Sequence, residues 1–257
     1  MVVSMNEGAL IDVIFRDIPE DSVITIVYDV HSTGWMIGLS LLKKALEKGK
    51  LGIISNYNQT LSHLAKSLNL VGTDMWSELN SNNLVIFDIF GSRYGVRERY
   101  KNVFYLDNVD PETINPKIDS MYRDHILPMI NNRKVVRLIY TLDGATLILG
   151  ENVTLKLLNQ TIAAKSKLLK GSILILPINS DVVSKRFTAW VVGISDYALV
   201  VRSEFRDDKI MEFLHLIRAP EEDFEPTTYL LTTVGERKAE RLRVKKLTPE
   251  LGSLRKQ

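Results

Sequence analysis

The run VITIVYDVHSTGWMIGLSLLKKALEKG, residues 23–49, constrains the fold more than any other part of the chain. It passes from an apolar strand (23–28) through a polar loop into a helix that opens at Gly34 and closes at Gly49. The strand is β-branched and almost continuously apolar, which suits burial on both faces of a parallel sheet. In the helix, Ile37, Leu41, Leu42, Ala45 and Leu46 fall on one side, while Lys43, Lys44, Glu47 and Lys48 are left for solvent. In α/β proteins such a junction lies at the C-terminal end of a sheet strand, where ligands bind.

The rest of the chain repeats this alternation. Ser4 with Glu7 forms a capping-box pattern, and Leu10, Ile11, Ile14, Phe15 and Ile18 continue at helical spacing until Pro19. This predicts an amphipathic helix that lies on the core or docks on a neighbouring subunit. Residues 51–55 predict a strand, Leu61, Leu64, Ala65 and Leu68 a helix ended by Gly72, and residues 84–90 a third strand. A turn at 91–95 leads through Arg93, Arg97, Arg99 and Lys101, read as a solvated loop, to a short strand at 103–106. Ile118, Met121, Tyr122, His125 and Met129 share one helix face, which Pro128 ends or bends. Strands at 135–141 and 173–176 flank a helix marked by Leu155, Leu158 and Ile162. Alternating β and α elements predict an α/β fold, a mostly parallel sheet flanked by helices with right-handed crossovers. Beyond Pro177 the pattern changes: residues 182–192 suit a helix, 197–201 a strand, and 210–217 are apolar but ambiguous. Residues 229–234 and 242–246 flank Gly235-Glu236-Arg237-Lys238, which predicts an antiparallel C-terminal hairpin at the sheet edge. No linker divides the chain, so a single domain over 1–257 is expected: N-terminal helix 1–19, core 20–247 and tail 248–257.

The loop is the natural place to look for chemistry. A phosphate-binding loop needs GxxxxGK(S/T), because backbone N–H groups surround the phosphates, a lysine neutralises them and a hydroxyl holds Mg²⁺. The window here is Asp29, Val30, His31, Ser32, Thr33, Gly34, Trp35, Met36. Only Gly34 is retained. Asp29, Trp35 and Met36 occupy the places of the first glycine, the lysine and the hydroxyl residue, and Asp29 repels a phosphate.

Composition removes other classes of function. The chain has no cysteine, which excludes disulfides, thiolate metal sites and cysteine nucleophiles and makes a reducing cytoplasm the simplest setting. No apolar run approaches the ~20 residues of a membrane span, so no membrane partner is expected. The net charge is only +2, but residues 235–257 hold eight basic against three acidic side chains. That basic tail reads as a half-exposed edge strand whose charges discourage further pairing. As a nucleic-acid site it is weak and salt-sensitive, since it lacks interleaved aromatics.

Particular phrases resemble the RecA-like ATPases of archaea, the KaiC and RadA relatives. Lys48-Gly49-Lys50-Leu51-Gly52-Ile53-Ile54-Ser55 resembles their second core strand with its lead-in. Residues 61–70 resemble the helix that follows, 83–92 the third strand, and 196–202 and 241–248 the C-terminal strands. A closer resemblance is to an uncharacterised family of hyperthermophilic archaea that shares this worn core. The resemblance implies a RecA-like P-loop NTPase fold with degenerate Walker motifs, a pseudo-ATPase. At the positions that match the family, Trp35 replaces the loop lysine and Met36 the Mg²⁺ hydroxyl. Tyr140 stands where the fourth strand ends in a metal-binding aspartate, and the water-polarising glutamate falls near Tyr57 or Asn58. Lys246 remains where relatives offer a basic residue to the adjacent subunit's nucleotide, but the accompanying arginine is Thr248. Together these losses remove phosphate neutralisation, metal binding and water activation.

The four histidines, His31, His63, His125 and His215, are too scattered for a recognisable metal motif. Asp88 reads as a polar residue at a sheet edge rather than a catalytic base. Trp35, Tyr57 and Tyr140 fill the emptied phosphate pocket or, alternatively, stack on a base. The sequence therefore predicts a protein without catalytic residues, metal or cofactor that binds a protein or peptide, or its own copies. RecA-like recombinases join subunits by laying an extended segment along the sheet edge beside the third strand. The corresponding surface here uses Val85 and Phe87 on the strand and Ile118, Met121 and Tyr122 on the helix. A nucleotide or small metabolite in loop 29–36, and weak nucleic-acid binding by the tail, are the alternative readings.

Overall fold

The apolar runs of the described residues assemble, in the computed structural model, into one eleven-stranded sheet with a hydrophobic core on each face. The structure describes residues 7–15, 17, 19–233 and 242–247. The strands are β1 (Glu7–Ala9), β2 (Val23–Tyr28), β3 (Leu51–Asn56), β4 (Leu84–Asp88), β5 (Val103–Phe104), β6 (Val135–Tyr140), β7 (Ile173–Asn179), β8 (Tyr197–Arg206), β9 (Lys209–Arg218), β10 (Thr227–Thr233) and β11 (Leu242–Lys246). Their spatial order is β1-β11-β10-β9-β8-β2-β7-β6-β3-β4-β5. Neighbours from β8 through β2 to β5 are parallel, and those from β8 through β9 to β1 are antiparallel.

The helices are α1 (Leu10–Phe15), α2 (Trp35–Glu47), α3 (Leu61–Leu70), α4 (Met75–Asn80), α5 (Ile89–Tyr94), α6 (Ile114–Met121), α7 (Leu127–Ile130), α8 (Leu142–Leu149), α9 (Glu151–Leu168) and α10 (Lys185–Gly193). Strand alternation sends each strand's side chains to two faces. Ile24, Ile26, Ile54, Val136, Leu138 and Ile175 join α1 to α4 in one core. Leu51, Ile53, Val85, Phe87, Ile139 and Leu174 join α6, α8, α9 and α10 in the other. Each such aliphatic side chain stabilises the fold by roughly 1.5–3 kcal/mol when fully buried.

Several local expectations are corrected. Glu7–Ala9 is a strand rather than the first turn of a helix, because Glu7, Gly8 and Ala9 pair with Lys245, Val244 and Arg243. Ser4 lies outside the described residues. Consequently β11 is not the sheet edge: β1 covers it, with Glu7 facing Lys245 across the pair. The predicted turn at 235–238 and most of the basic tail also lie outside the described residues. The third strand ends at Asp88, whose carboxylate accepts from the Gly91 amide and caps α5. The ambiguous stretch 210–217 is β9. It pairs with β8 through a tight turn in which Asp207 and Asp208 adopt φ of 45° and 59°, the geometry that a two-residue hairpin loop demands. Strand β7 runs through Pro177 to Asn179, although its ladder with β6 stops at Ile175, before the residue that has no N–H to give. A π-helical turn, Tyr122–Ile126, joins α6 to α7.

Candidate functional site

The loop between β2 and α2 satisfies its own amides. The Val30 N–H donates to Asp181 Oδ2 at 2.8 Å and the His31 N–H to Asp29 Oδ1 at 3.0 Å. The Ser32 N–H donates to the Asp29 carbonyl at 3.2 Å, and the Thr33 N–H to Glu212 Oε2 at 2.6 Å. Thr33 Oγ1 donates to the same Glu212 oxygen at 2.8 Å, and the Gly34 N–H reaches Ser32 Oγ at 3.4 Å. Asp29 also accepts from the Ser203 N–H on β8 at 2.6 Å. Three carboxylates therefore stand around a loop whose N–H groups already have acceptors. Gly34 is locked in by packing, since a Cβ there would lie 2.6 Å from Tyr28 Cβ. Met36 is buried, Trp35 packs against the first core, and exposed His31 meets Phe205 edge-on at 5.1 Å.

The strand ends beside this loop carry phenols rather than acids. Tyr28 and Tyr140 are buried in the first core, and burial pushes both phenols up. Tyr57 lies across the sheet in the second core, where burial pushes its phenol up to about 12. The structure thus keeps Trp35 and Tyr140 on one face and separates Tyr57 from them, so the three do not form one stacking platform. Nearby Asp143, held by the Asn179 N–H at 3.0 Å, has its carboxyl raised by burial. Asp88 is also raised by burial, although the Gly91 amide and the Asn56 side chain partly draw it back. Among the described residues no group of three or more His, Asp or Glu side chains is disposed to hold a metal ion.

The second candidate region is the α6 face. Strand β5 occupies the edge beside β4, with Ile86 opposite Val103 and Phe87 opposite Phe104. Val85 and Phe87 are buried, and Phe87 packs on Phe104 and Tyr122 with ring centroids 6.0 Å and 5.2 Å apart. His125 stacks on Phe104 at 4.8 Å. The chain's own aromatic side chains therefore cover the β4 edge surface expected from the sequence, and Val85 and Phe87 are not exposed to a partner. Ile118 and Tyr122 instead line a cavity of about 240 Å³ between α6 and α9; Met121 does not reach it. Ala164 and Leu168 of α9 form the facing wall, and Arg137 of β6 lies at its sheet side.

Arg137 is the residue that sequence reasoning missed. It is 7% exposed and forms no ion pair among the described residues. Its guanidinium carbon lies 4.9 Å from the centroid of the Tyr122 ring. The Tyr122 hydroxyl is buried; burial pushes this phenol up, and the charge and side-chain hydrogen bond of the neighbouring Arg137 partly oppose the shift. The available signal was a charged residue inside the apolar strand VVRLIY, whose positions are buried throughout.

No family model matches the chain, and no curated protein matches it. Among solved structures it is similar to an uncharacterized protein from Pyrococcus horikoshii in complex with an unknown peptide. The TM-score is 0.75 at 21% identity, over 93% of this chain and 97% of that one. It is also similar to a KaiC-like protein from Pyrococcus horikoshii OT3, with TM-score 0.64 at 14% identity over 88% and 90% of the two chains. The chain has a RecA-like fold. In this RecA-like frame, the parallel strands carry the β2–α2 junction, and the antiparallel strands extend the sheet beyond β8. No helix among the described residues is long and apolar enough to cross a membrane.

Proposed function

We propose that this RecA-like chain is a non-catalytic binding protein whose ligand is a peptide segment of another protein. The observation that carries the reading is the occupied loop. Asp29, Asp181 and Glu212 accept the N–H groups that would cradle a phosphate, and Trp35 and Met36 supply neither its counter-charge nor a metal ligand. A triphosphate would have to displace three carboxylates of its own sign, which opposes binding. The residues present do not fit a nucleotide with Mg²⁺, and no hydrolytic step runs through them.

Two further observations support the peptide half of the reading. The second face of the sheet carries a partly apolar cavity, and a protein of the same fold was crystallised in complex with an unknown peptide. Trp35 makes the first test direct, because it opens α2 beside the loop. Titration with Mg·ATP, followed by tryptophan fluorescence and calorimetry, is expected to give no saturable signal. Saturable sub-millimolar binding would overturn the reading in favour of a nucleotide site in loop 29–36. Selection from a random peptide-display library tests the peptide half, with a recurring sequence expected.

A further inference from the structure

We propose that the cavity between α6 and α9 receives a glutamate side chain from a partner protein's peptide, and that Arg137 is its anchor. This deepens the peptide-binding reading and rests on it. Desolvating a guanidinium without pairing it is unfavourable, so a buried arginine normally has a carboxylate beside it. Arg137 has its guanidinium carbon over the Tyr122 ring and no acid within ion-pair distance among the described residues. It lines the cavity together with Ile118, Ala164 and Leu168, and Tyr122, on which it packs, lines the same space.

The surroundings select the chemistry. One planar guanidinium beside Ile118, Ala164 and Leu168 suits the two oxygens of a carboxylate, taken in a bidentate pair. A phosphate would call for further cations, and the other polar residues that line the cavity, Asn115, Asp119, Gln160 and Thr161, supply none. Arg137 sits on the sheet beneath the helix layer, so the peptide backbone stays outside and only a side chain reaches inward; glutamate is the longer of the two acidic side chains. At about 240 Å³ the space exceeds what a carboxylate requires. Since water takes ~30 Å³, it leaves room for an apolar neighbour of the glutamate. Asp119 lines the mouth and is exposed, which disfavours a run of acidic residues over a single one. Asn115 of α6 donates to Gln160 of α9 across the groove and ties its two walls together.

The test uses the full chain and its Arg137→Met variant in parallel selections from the same random peptide-display library. Circular dichroism and thermal melting verify that the variant is folded. Wild type is expected to enrich peptides carrying one glutamate at a fixed position next to an apolar residue. In fluorescence anisotropy, changing that glutamate to glutamine is expected to weaken binding by about tenfold or more, the effect of losing a charged hydrogen-bond partner. Arg137→Met is expected to bind the two peptides equally weakly. If peptides are enriched without an acidic preference, or bind folded Arg137→Met as tightly as wild type, the anchor is overturned and the peptide-binding reading stands. If no peptide is enriched, both fall. A wild-type dimer that Arg137→Met dissociates would overturn the choice of partner and assign the groove to a second copy of this chain.

Discussion

Replacing Arg137 by methionine should make the protein more stable. An isolated charge taken into a protein interior carries an effective penalty of several kcal/mol even after relaxation. Three features of the site reduce it: the Tyr122 ring at 4.9 Å, worth about 0.5–2 kcal/mol as a cation–π contact, the hydrogen bond with the Tyr122 side chain, and the hydration that the adjoining cavity permits. Methionine keeps the length of the stem, makes the same apolar contacts and removes the charge. The expected net gain is about 1–3 kcal/mol. For a chain of this size each kcal/mol moves the melting temperature by about 2–4 °C, so a rise of roughly 2–12 °C is expected. Differential scanning calorimetry with guanidinium melts at neutral pH measures both quantities. A loss of about 1 kcal/mol or more would refute the reasoning, since it would mean the folded chain already compensates this charge and gains from keeping it. A gain in stability combined with a loss of peptide affinity is the signature of a residue retained for binding.

Other consequences are as direct. Gly34→Ala places a Cβ 2.6 Å from Tyr28 Cβ and 3.1 Å from Val201 Cβ, so thermal melting should show a loss of about 1–3 kcal/mol from overpacking; an unchanged midpoint would mean the junction is looser than described. Glu212→Ala removes the acceptor of both Thr33 donors and should cost about 1–3 kcal/mol in urea melts, while Mg·ATP still gives no saturable titration. Asp143→Asn tests the buried carboxyl. Because burial raises it in the folded state, its contribution is present below the ordinary carboxylate range and lost as pH rises through the folded value. The asparagine variant should therefore gain on wild type as pH rises above the ordinary carboxylate range, and an offset that does not change with pH would contradict this.

Much of the fold was legible because its signals are local. The strand 23–28, the helix from Gly34 and the apolar run at 84–90 carry their periodicity within a dozen residues; the structure keeps the first two and ends the third at Asp88. What failed depended on distant partners. The pattern Ser4 to Glu7 reads as a helix cap, yet Glu7 pairs with Lys245 at the far end of the chain. The substitutions in the loop were visible, but the carboxylates that occupy its amides come from Asp181 and Glu212, 151 and 179 residues away from their donors. The β8–β9 turn hid because two aspartates, rather than an Asn-Gly or Asp-Gly pair, adopt its positive φ angles. Val85 and Phe87 looked accessible because nothing in the sequence says that β5 pairs along β4 or that Phe104 and Tyr122 pack on Phe87. Arg137 was passed over inside a strand identified correctly. One charged residue at an inward position of a doubly buried strand deserved the question of what neutralises it.

The most direct measurement is a crystal structure of the protein with a library-selected peptide in the presence of Mg·ATP. The account predicts a glutamate carboxylate within hydrogen-bond distance of Arg137 between α6 and α9, and a loop 29–34 still closed on Asp29, Asp181 and Glu212 with no nucleotide bound. A nucleotide seated in that loop, or a peptide bound elsewhere with Arg137 still unpaired, would contradict it.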